Sequence, residues 1–451
     1  MRNRDEDVIA LTHVCRAWRE IFTSRSSLWS NFYCADEDKT RIYLERSKSS
    51  PINLQINRKN GLFLHDPLLQ IIPLATGRLK SLHITGSSVT LPNITARLTH
   101  PAPLLEDLLI DGDCEFSPES NPILTTSLFN GDLSSLRNLW LQSVRTELPW
   151  RNMVNLTSFT LRNMSPGEVS VRHLLDFFAS APRLSKINIH TPIAGSDVQN
   201  GRLVSLAHLN KMGIFGDVPP SILLDHLLVP VGTKLTTRTN VRGPLFEGHL
   251  PRSLDNLRNF PNFTKVHLHV DSWCSRARFS GLNGQVHMFS PTPSGSPTRL
   301  VLDSLARFNT SKTERLRIDH GDTPSSDTLY QALLPMKCLR TLTLFQCRNP
   351  NLFIHALDPG ADPSGVVICP KLEELVLVPR FNEELRDIEG LVGMVATRAS
   401  RAAKLKSVRI HTRGRAVQFN ASGLEKHVLH VERGPGVTVA DDDMDSSDED
   451  D

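Results

Sequence analysis

The side chains able to do chemistry are scattered along this chain. His267 and His269 lie two apart in an alternating run, which places both on one side of a strand. Two imidazoles with no neighbouring Cys or carboxylate pattern make a weak metal site, so no metal is expected there. Seven cysteines occur, at 15, 34, 114, 274, 338, 347 and 369, widely spaced and without a C-x-x-C pair. Cys338, Cys347 and Cys369 do not have zinc spacing, and Cys338 and Cys347 read as packing residues. Asp441 to Asp443 with Asp445 offer at most loose chelation of divalent ions, and a solvated acidic run is the plainer reading. Ser446 and Ser447, with Glu449 and Asp450 three residues on, suit an acidophilic kinase. The phosphate-binding glycine motifs, G-x-S-x-G and H-E-x-x-H are all absent. The expectation is a protein that is not an enzyme and that needs neither cofactor nor metal.

Bulk properties narrow the class further. The chain has 451 residues, more than one compact core usually holds, and 39% are hydrophobic. The net charge of +3 conceals an asymmetry. The last eleven residues carry eight acidic side chains, leaving 51 basic against 40 acidic residues in the body. Neither nucleic acid nor membrane is an expected partner. An odd set of dispersed cysteines fits reduced thiols, and the charged start (Met1 to Asp7) does not read as a secretory signal. An intracellular location, cytoplasmic or nuclear, is expected.

What such a chain would position becomes visible in its periodicity. An apolar-x-x-apolar-x-apolar motif recurs at Leu79/Leu82/Ile84, Leu105/Leu108/Ile110, Leu136/Leu139/Leu141, Leu156/Phe159/Leu161, Leu184/Ile187/Ile189 and Leu209/Met212/Ile214. It continues at Phe263/Val266/Leu268, Thr313/Leu316/Ile318, Leu339/Leu342/Leu344, Leu372/Leu375/Leu377 and Leu405/Val408/Ile410. Most intervals are 20 to 33 residues; two, of 54 and 50, have room for a degenerate repeat. The last two apolar positions share one side of a short strand. One strand cannot bury that side alone, so stacked strands and covering return segments are required. Arg172 to Ala181 and Glu383 to Ala403 read as helical returns. Pro103, Pro182, Pro261 and Pro370 each stand two residues before a motif and favour an extended entry.

The expected fold is α/β: an irregular leucine-rich-repeat solenoid over 45–435, after a short helical segment (1–34) and before a disordered acidic tail (436–451). A conventional α/β domain is the alternative. The Asn that usually closes each repeat is replaced by Asp113, Val144, Met164, Asp217 or Asp271, and only Cys347 suits that place. Ser280 to Thr298 and Asn349 to Pro370 read as loops. The outward strand positions hold Trp140, Arg162, Lys186, Phe215, Lys265, His267, His269, Arg315, Arg317, Phe345, Arg409 and His411. These are the candidate partner-binding residues, a basic and aromatic-dotted surface suited to an acidic protein or peptide. The acidic tail would then be placed to mask it.

The N-terminus carries a different signal. Leu11, Val14, Cys15, Trp18, Ile21 and Phe22 fall on one face of an amphipathic helix, followed by Leu28 and Trp29. Leu11-Thr-His-Val-Cys-Arg-Ala-Trp-Arg-Glu-Ile-Phe with Ser27-Leu-Trp-Ser-Asn-Phe resembles the second half of an F-box. Tyr43-Leu-Glu-Arg-Ser-Lys-Ser-Ser-Pro-Ile-Asn-Leu and Cys369-Pro-Lys-Leu-Glu-Glu-Leu-Val-Leu are similar to segments of basidiomycete fungal F-box proteins. The Leu-Pro-containing first half of that motif has no counterpart here, so the F-box is expected to be truncated. The resemblance implies a substrate-recognition subunit of a cullin-type (SCF) ubiquitin ligase. Leu11, Val14, Cys15, Trp18, Ile21, Leu28 and Trp29 would contact a Skp-family adaptor, and the repeats would hold a protein substrate. The alternative is a leucine-rich-repeat scaffold with a degenerate F-box and no ligase link.

Overall fold

The structure, a computed structural model, describes residues 4–34, 37–58, 68–112, 121–124, 128–146, 153–165, 168–194, 201–217, 219–240, 248–257, 263–271, 274–281, 284–291, 302, 305, 310–320, 325–360, 365–379, 388–412 and 422–435. Cys114, Asp113, Pro261 and the acidic tail lie outside them. The chain is mixed α/β with a mostly parallel sheet, and no closed barrel forms among the described residues. It divides into two compact units, Met1–Pro230 and Val231–Asp451. That boundary falls inside the single repeat region expected from the sequence.

In the first unit the sheet is all parallel. Its strands are β1 (Asn31–Tyr33), β2 (Ile52–Arg58), β3 (Leu79–Gly86), β4 (Asp107–Asp111), β5 (Asn138–Gln142), β6 (Ser158–Arg162), β7 (Lys186–His190) and β8 (Lys211–Gly216). Each pairs with the next in chain order. β1, which lies within residues 1–34, is the first strand of this sheet.

The second unit departs from that order. Its strands are β9 (Lys234–Thr239), β10 (Phe263–Val270), β11 (Cys274–Gly281), β12 (Gly284–Pro291), β13 (Arg315–Asp319), β14 (Thr341–Phe345), β15 (Glu374–Val378), β16 (Ser407–Thr412) and β17 (His430–Pro435). From β10 the chain doubles back through antiparallel β11 into β12, which pairs in parallel with β9. β10 then pairs with β13, and β13 to β17 follow in order. The two long sequence intervals are thus filled by β9 and by the β11–β12 hairpin. Ser280–Thr298 was expected to be a loop; residues 280–281 and 284–291 are instead strand, and 292–298 lie outside the described residues. The reason is a period-two pattern hidden among Ser and Gly: Ala277, Phe279, Val286 and Met288 are buried.

All 33 motif positions are buried, and the polar one, Thr313, is no exception. Their registers align across strands, as in Leu82↔Leu108↔Leu139↔Phe159↔Ile187↔Met212. At most entries the first motif residue closes a tight turn, for example Leu105 N–H to Ala102 O and Leu184 N–H to Ala181 O. Proline at the corner of that turn presets its φ. At the exits, Ser143, Asn163, His320 and Gln346 take φ between 50° and 58°. Their N–H groups donate to Arg162 O, His190 O, Phe345 O and Val378 O of the next turn. Backbone bonds thus supply the closure that an Asn ladder would give. Cys347, the one residue judged suitable for that role, donates its S–H to Ile318 O at 3.3 Å.

Helices cover the buried side in both units, α2 excepted. In the first, α1 (Arg4–Leu11), α2 (Arg16–Ser24), α3 (Glu37–Arg46), α4 (Leu68–Ala75), α5 (Thr90–Thr95) and α6 (Val171–Ser180) form. α6 starts at Ser170, whose hydroxyl accepts from His173 N–H, and buries Leu174, Leu175, Phe177 and Phe178. Phe159 meets Phe177 at 4.5 Å. In the second, α7 (Ser326–Leu333), α8 (Asn351–Leu357) and α9 (Ile388–Ser400) do the same. α8 lies inside the stretch 349–370 that reads as a loop; Pro350 opens it, and Phe353, Ile354 and Leu357 anchor it.

Candidate functional site

The N-terminal segment is two helices rather than one. Thr12 Oγ1 donates to Ile9 O at 2.7 Å, and Cys15 is extended at φ −159°, so the chain breaks between α1 and α2. The run Thr12-His-Val, poor in helix propensity, explains the break. Arg19 then ties the corner by donating to Thr12 O. α2 buries none of its residues. Val14, Trp18 and Ile21 are 61%, 43% and 53% exposed, and Cys15 is exposed beside them. Trp18 stacks on Phe22 at 5.7 Å. Leu11 and Leu28 are half-buried.

Trp29 corrects the expectation that it contacts a partner. It is fully buried, donates its indole N–H to Phe22 O at 2.8 Å, and packs against Tyr43 at 5.1 Å. Arg46 caps its ring at 4.3 Å. Trp29 therefore fixes the end of α2 to α3, while Val14, Trp18 and Ile21 stay exposed.

The outward sheet positions gather separately in each unit. In the first, Trp140 lies half-buried under Arg162, whose guanidinium sits 4.6 Å above its ring. Phe215 stacks on His190 at 4.0 Å and 15°. Trp140 also borders a shallow depression of about 360 Å³ with Gln55, His83, Asp107, Asn138 and Thr160. Its lining is more apolar than polar, and Asp107 is its one acidic residue. Burial pushes the His83 imidazole below its ordinary pKa, with Asp111 opposing the shift, so His83 stays neutral near pH 7.

In the second unit the same positions form ion pairs. Asp319 is a hub that the sequence reading missed. It accepts from His267 Nε2 at 2.8 Å and from Arg317 Nε at 2.8 Å. Burial pushes its carboxyl up, but the bonds and charges of His267 and Arg317 outweigh that and hold it below the usual carboxylate range. Arg317 also covers the Phe345 ring at 5.2 Å. Arg409 bridges Glu374 at 3.0 Å and Glu432 at 3.3 Å. Arg315 is exposed, next to Lys265 in the strand register. Lys186 of the first unit is half-buried, whereas His411 is buried and offers no outward surface. Two of these basic residues, Arg317 and Arg409, are thus paired with acids of the second unit. The missed signal was acids placed near these positions: Asp319 two residues from Arg317 on the same strand, Glu432 directly opposite Arg409, and Glu374 diagonal to it.

No helix among the described residues is long and apolar enough to cross a membrane. No protein-family model matches the chain, and no relative is found among curated proteins.

Proposed function

We propose that this chain is a substrate-recognition subunit of a cullin-type ubiquitin ligase, built as an irregular leucine-rich-repeat solenoid. α2 docks on a Skp-family adaptor, and the outward faces of the strands receive a protein substrate. The observation that carries this reading is α2 itself. It holds Trp18 and Ile21 in solvent, with exposed Val14 in the turn just before it, on a helix whose end is anchored by buried Trp29. Adjacent exposed apolar side chains mark protein-interaction sites. The F-box resemblance of the same residues names the partner class. Aligned strands with left-handed exit turns support the solenoid.

Co-purification of the full chain with a Skp-family adaptor tests the reading. Association is expected, with Trp18→Ala weakening it about thirtyfold or more, as a central aromatic anchor does. Ile21→Asp is expected to abolish it, and both variants should keep the wild-type Tm because neither side chain is buried. If the wild-type chain does not associate, the ligase reading gives way to a repeat scaffold that binds its partner without an adaptor.

A further inference from the structure

The β10–β11 turn brings three unlike ligand atoms together. His269 is the last residue but one of β10, Cys274 opens β11, and Asp271 stands between them. The turn is held by Asp271 N–H donating to Cys274 O at 3.0 Å and by Cys274 N–H donating to Asp271 Oδ1 at 2.7 Å. One carboxylate oxygen is therefore committed to the turn. The other, Oδ2, lies 3.1 Å from His269 Nε2 and 3.6 Å from Cys274 Sγ. All three ligand atoms lie within 4.8 Å of one another.

Those separations fit the edges of a coordination tetrahedron. Zinc bonds of about 2.0–2.1 Å to nitrogen or oxygen and about 2.3 Å to sulfur give N···O and S···O edges of roughly 3.3 and 3.6 Å. We propose that His269, Asp271 and Cys274 bind a divalent transition ion, zinc or cobalt, through Nε2, Oδ2 and Sγ, with water completing the tetrahedron. His269 and Asp271 are about one-third exposed and give the ion a path in, while Cys274 is buried and supplies a dry floor. Mixed N, O and S donors suit borderline ions of this class and disfavour magnesium or calcium. The site closes the antiparallel hairpin that interrupts the parallel order of the second unit, so the ion would lock that insertion. His320 packs edge-on against His269 at 5.2 Å and limits its ring orientation. Thiolate ligation requires the thiol to lose its proton, so the ion should bind more tightly as pH rises.

The test is a cobalt titration of the full chain after chelator treatment, followed by zinc displacement. Saturable binding of a single equivalent is expected, with a thiolate-to-cobalt charge-transfer band that zinc removes. Cys274→Ser should abolish the band. Asp271→Asn keeps an oxygen for the turn and, like His269→Gln, should weaken cobalt binding about tenfold or more. Unfolding midpoints without metal identify any variant that fails to fold; His269→Gln, altering a side chain outside the core, remains decisive if Cys274→Ser does. Absence of a thiolate band, or a band and affinity unchanged in both Cys274→Ser and His269→Gln, overturns the site.

Discussion

The two units solve one problem differently. In the first, eight strands pair in chain order, and the covering side is sealed by carbon: Phe159, Phe177 and Phe178 pack against one another at 4.5 to 6.4 Å. In the second, an antiparallel hairpin interrupts the order, and the covering side contains a buried cation. Arg398 donates to Leu357 O at 3.3 Å, Ile368 O at 2.9 Å and Cys369 O at 2.7 Å. Leu357 O ends α8, where backbone acceptors lack helical partners, and Ile368 O and Cys369 O lie in the turn that leads into β15. A regular repeat provides its own backbone partners. An irregular one strands them, and a side chain must reach in to satisfy them.

The sharpest way to break the comparison is to remove each seal. Phe159→Ala should cost the first unit about 3–5 kcal/mol, since it leaves a cavity among close-packed rings. Arg398→Ala should cost the second about 3 kcal/mol or more by removing the donor shared by three buried carbonyls. Chemical denaturation gives the totals, and hydrogen exchange assigns each loss to its unit. If exchange in either variant rises evenly through both units, the two seals are not local.

Acid should separate the units next. His249, in the second unit, is buried against Thr237 Oγ1 at 2.9 Å, and burial pushes its pKa down to about 4. Its folded value lies below the unfolded value of about 6.5, so the unfolded chain takes up the proton first as pH falls. Its contribution is complete above about pH 6.5 and is lost toward about pH 4, a drop on the order of 3 kcal/mol. His83, in the first unit, shifts in the same direction with Asp111 opposing. His249→Gln should therefore flatten the pH dependence of stability in this window more than His83→Gln does. Equal slopes in both variants would remove the distinction.

These contrasts also show what sequence made legible. Motif positions such as Leu108 and Leu139 were readable because burial against a neighbouring strand demands apolar residues at fixed spacing. The left-handed exits were not, because Ser143, His320 and Gln346 share a conformation without sharing a chemistry. The β11–β12 hairpin was missed because its Ser and Gly residues resemble a loop, although Phe279 and Met288 alternate as a strand should. The break at Thr12–Cys15 was missed because apolar spacing counts positions and ignores a hydroxyl that bonds backward. Of the candidate site, Trp18 and Ile21 were legible, whereas Trp29 looked equally exposed. Only three-dimensional packing against Tyr43 tells them apart.

Glycines give a finer test of regular against irregular packing. A Cβ on Gly112, at the exit of β4, would lie 1.9 Å from Ser143 O and 2.8 Å from Ser143 C, both backbone atoms. Gly112→Ala should cost about 1–3 kcal/mol, because adjacent turns of the first unit approach too closely to admit a methyl group. Gly393, inside α9 of the second unit, would meet nothing within 4 Å. Gly393→Ala should stabilise by about 0.5–1 kcal/mol through helix propensity. Thermal unfolding checks both signs, and a neutral Gly112→Ala would mean the turns can spread.

The smallest effect concerns the outward faces. Arg409, Glu374 and Glu432 form a three-residue chain across β15, β16 and β17, but all three side chains reach solvent. Exposed pairs of this kind contribute about 0–1 kcal/mol, and salt screens them. Arg409→Ala should barely move stability, whereas losing Arg317 leaves the buried Asp319 carboxylate with only His267 among the partners named above. Arg317→Ala should therefore cost more than Arg409→Ala, and the gap should narrow once acid protonates Asp319 below the ordinary carboxylate range. A double-mutant cycle with Asp319→Asn, measured at neutral and acidic pH, isolates the pair. Coupling no larger than that of Arg409 with Glu374 would mean that Asp319 is wetter than its burial implies, and that the second unit's outward face is ordinary solvated surface throughout.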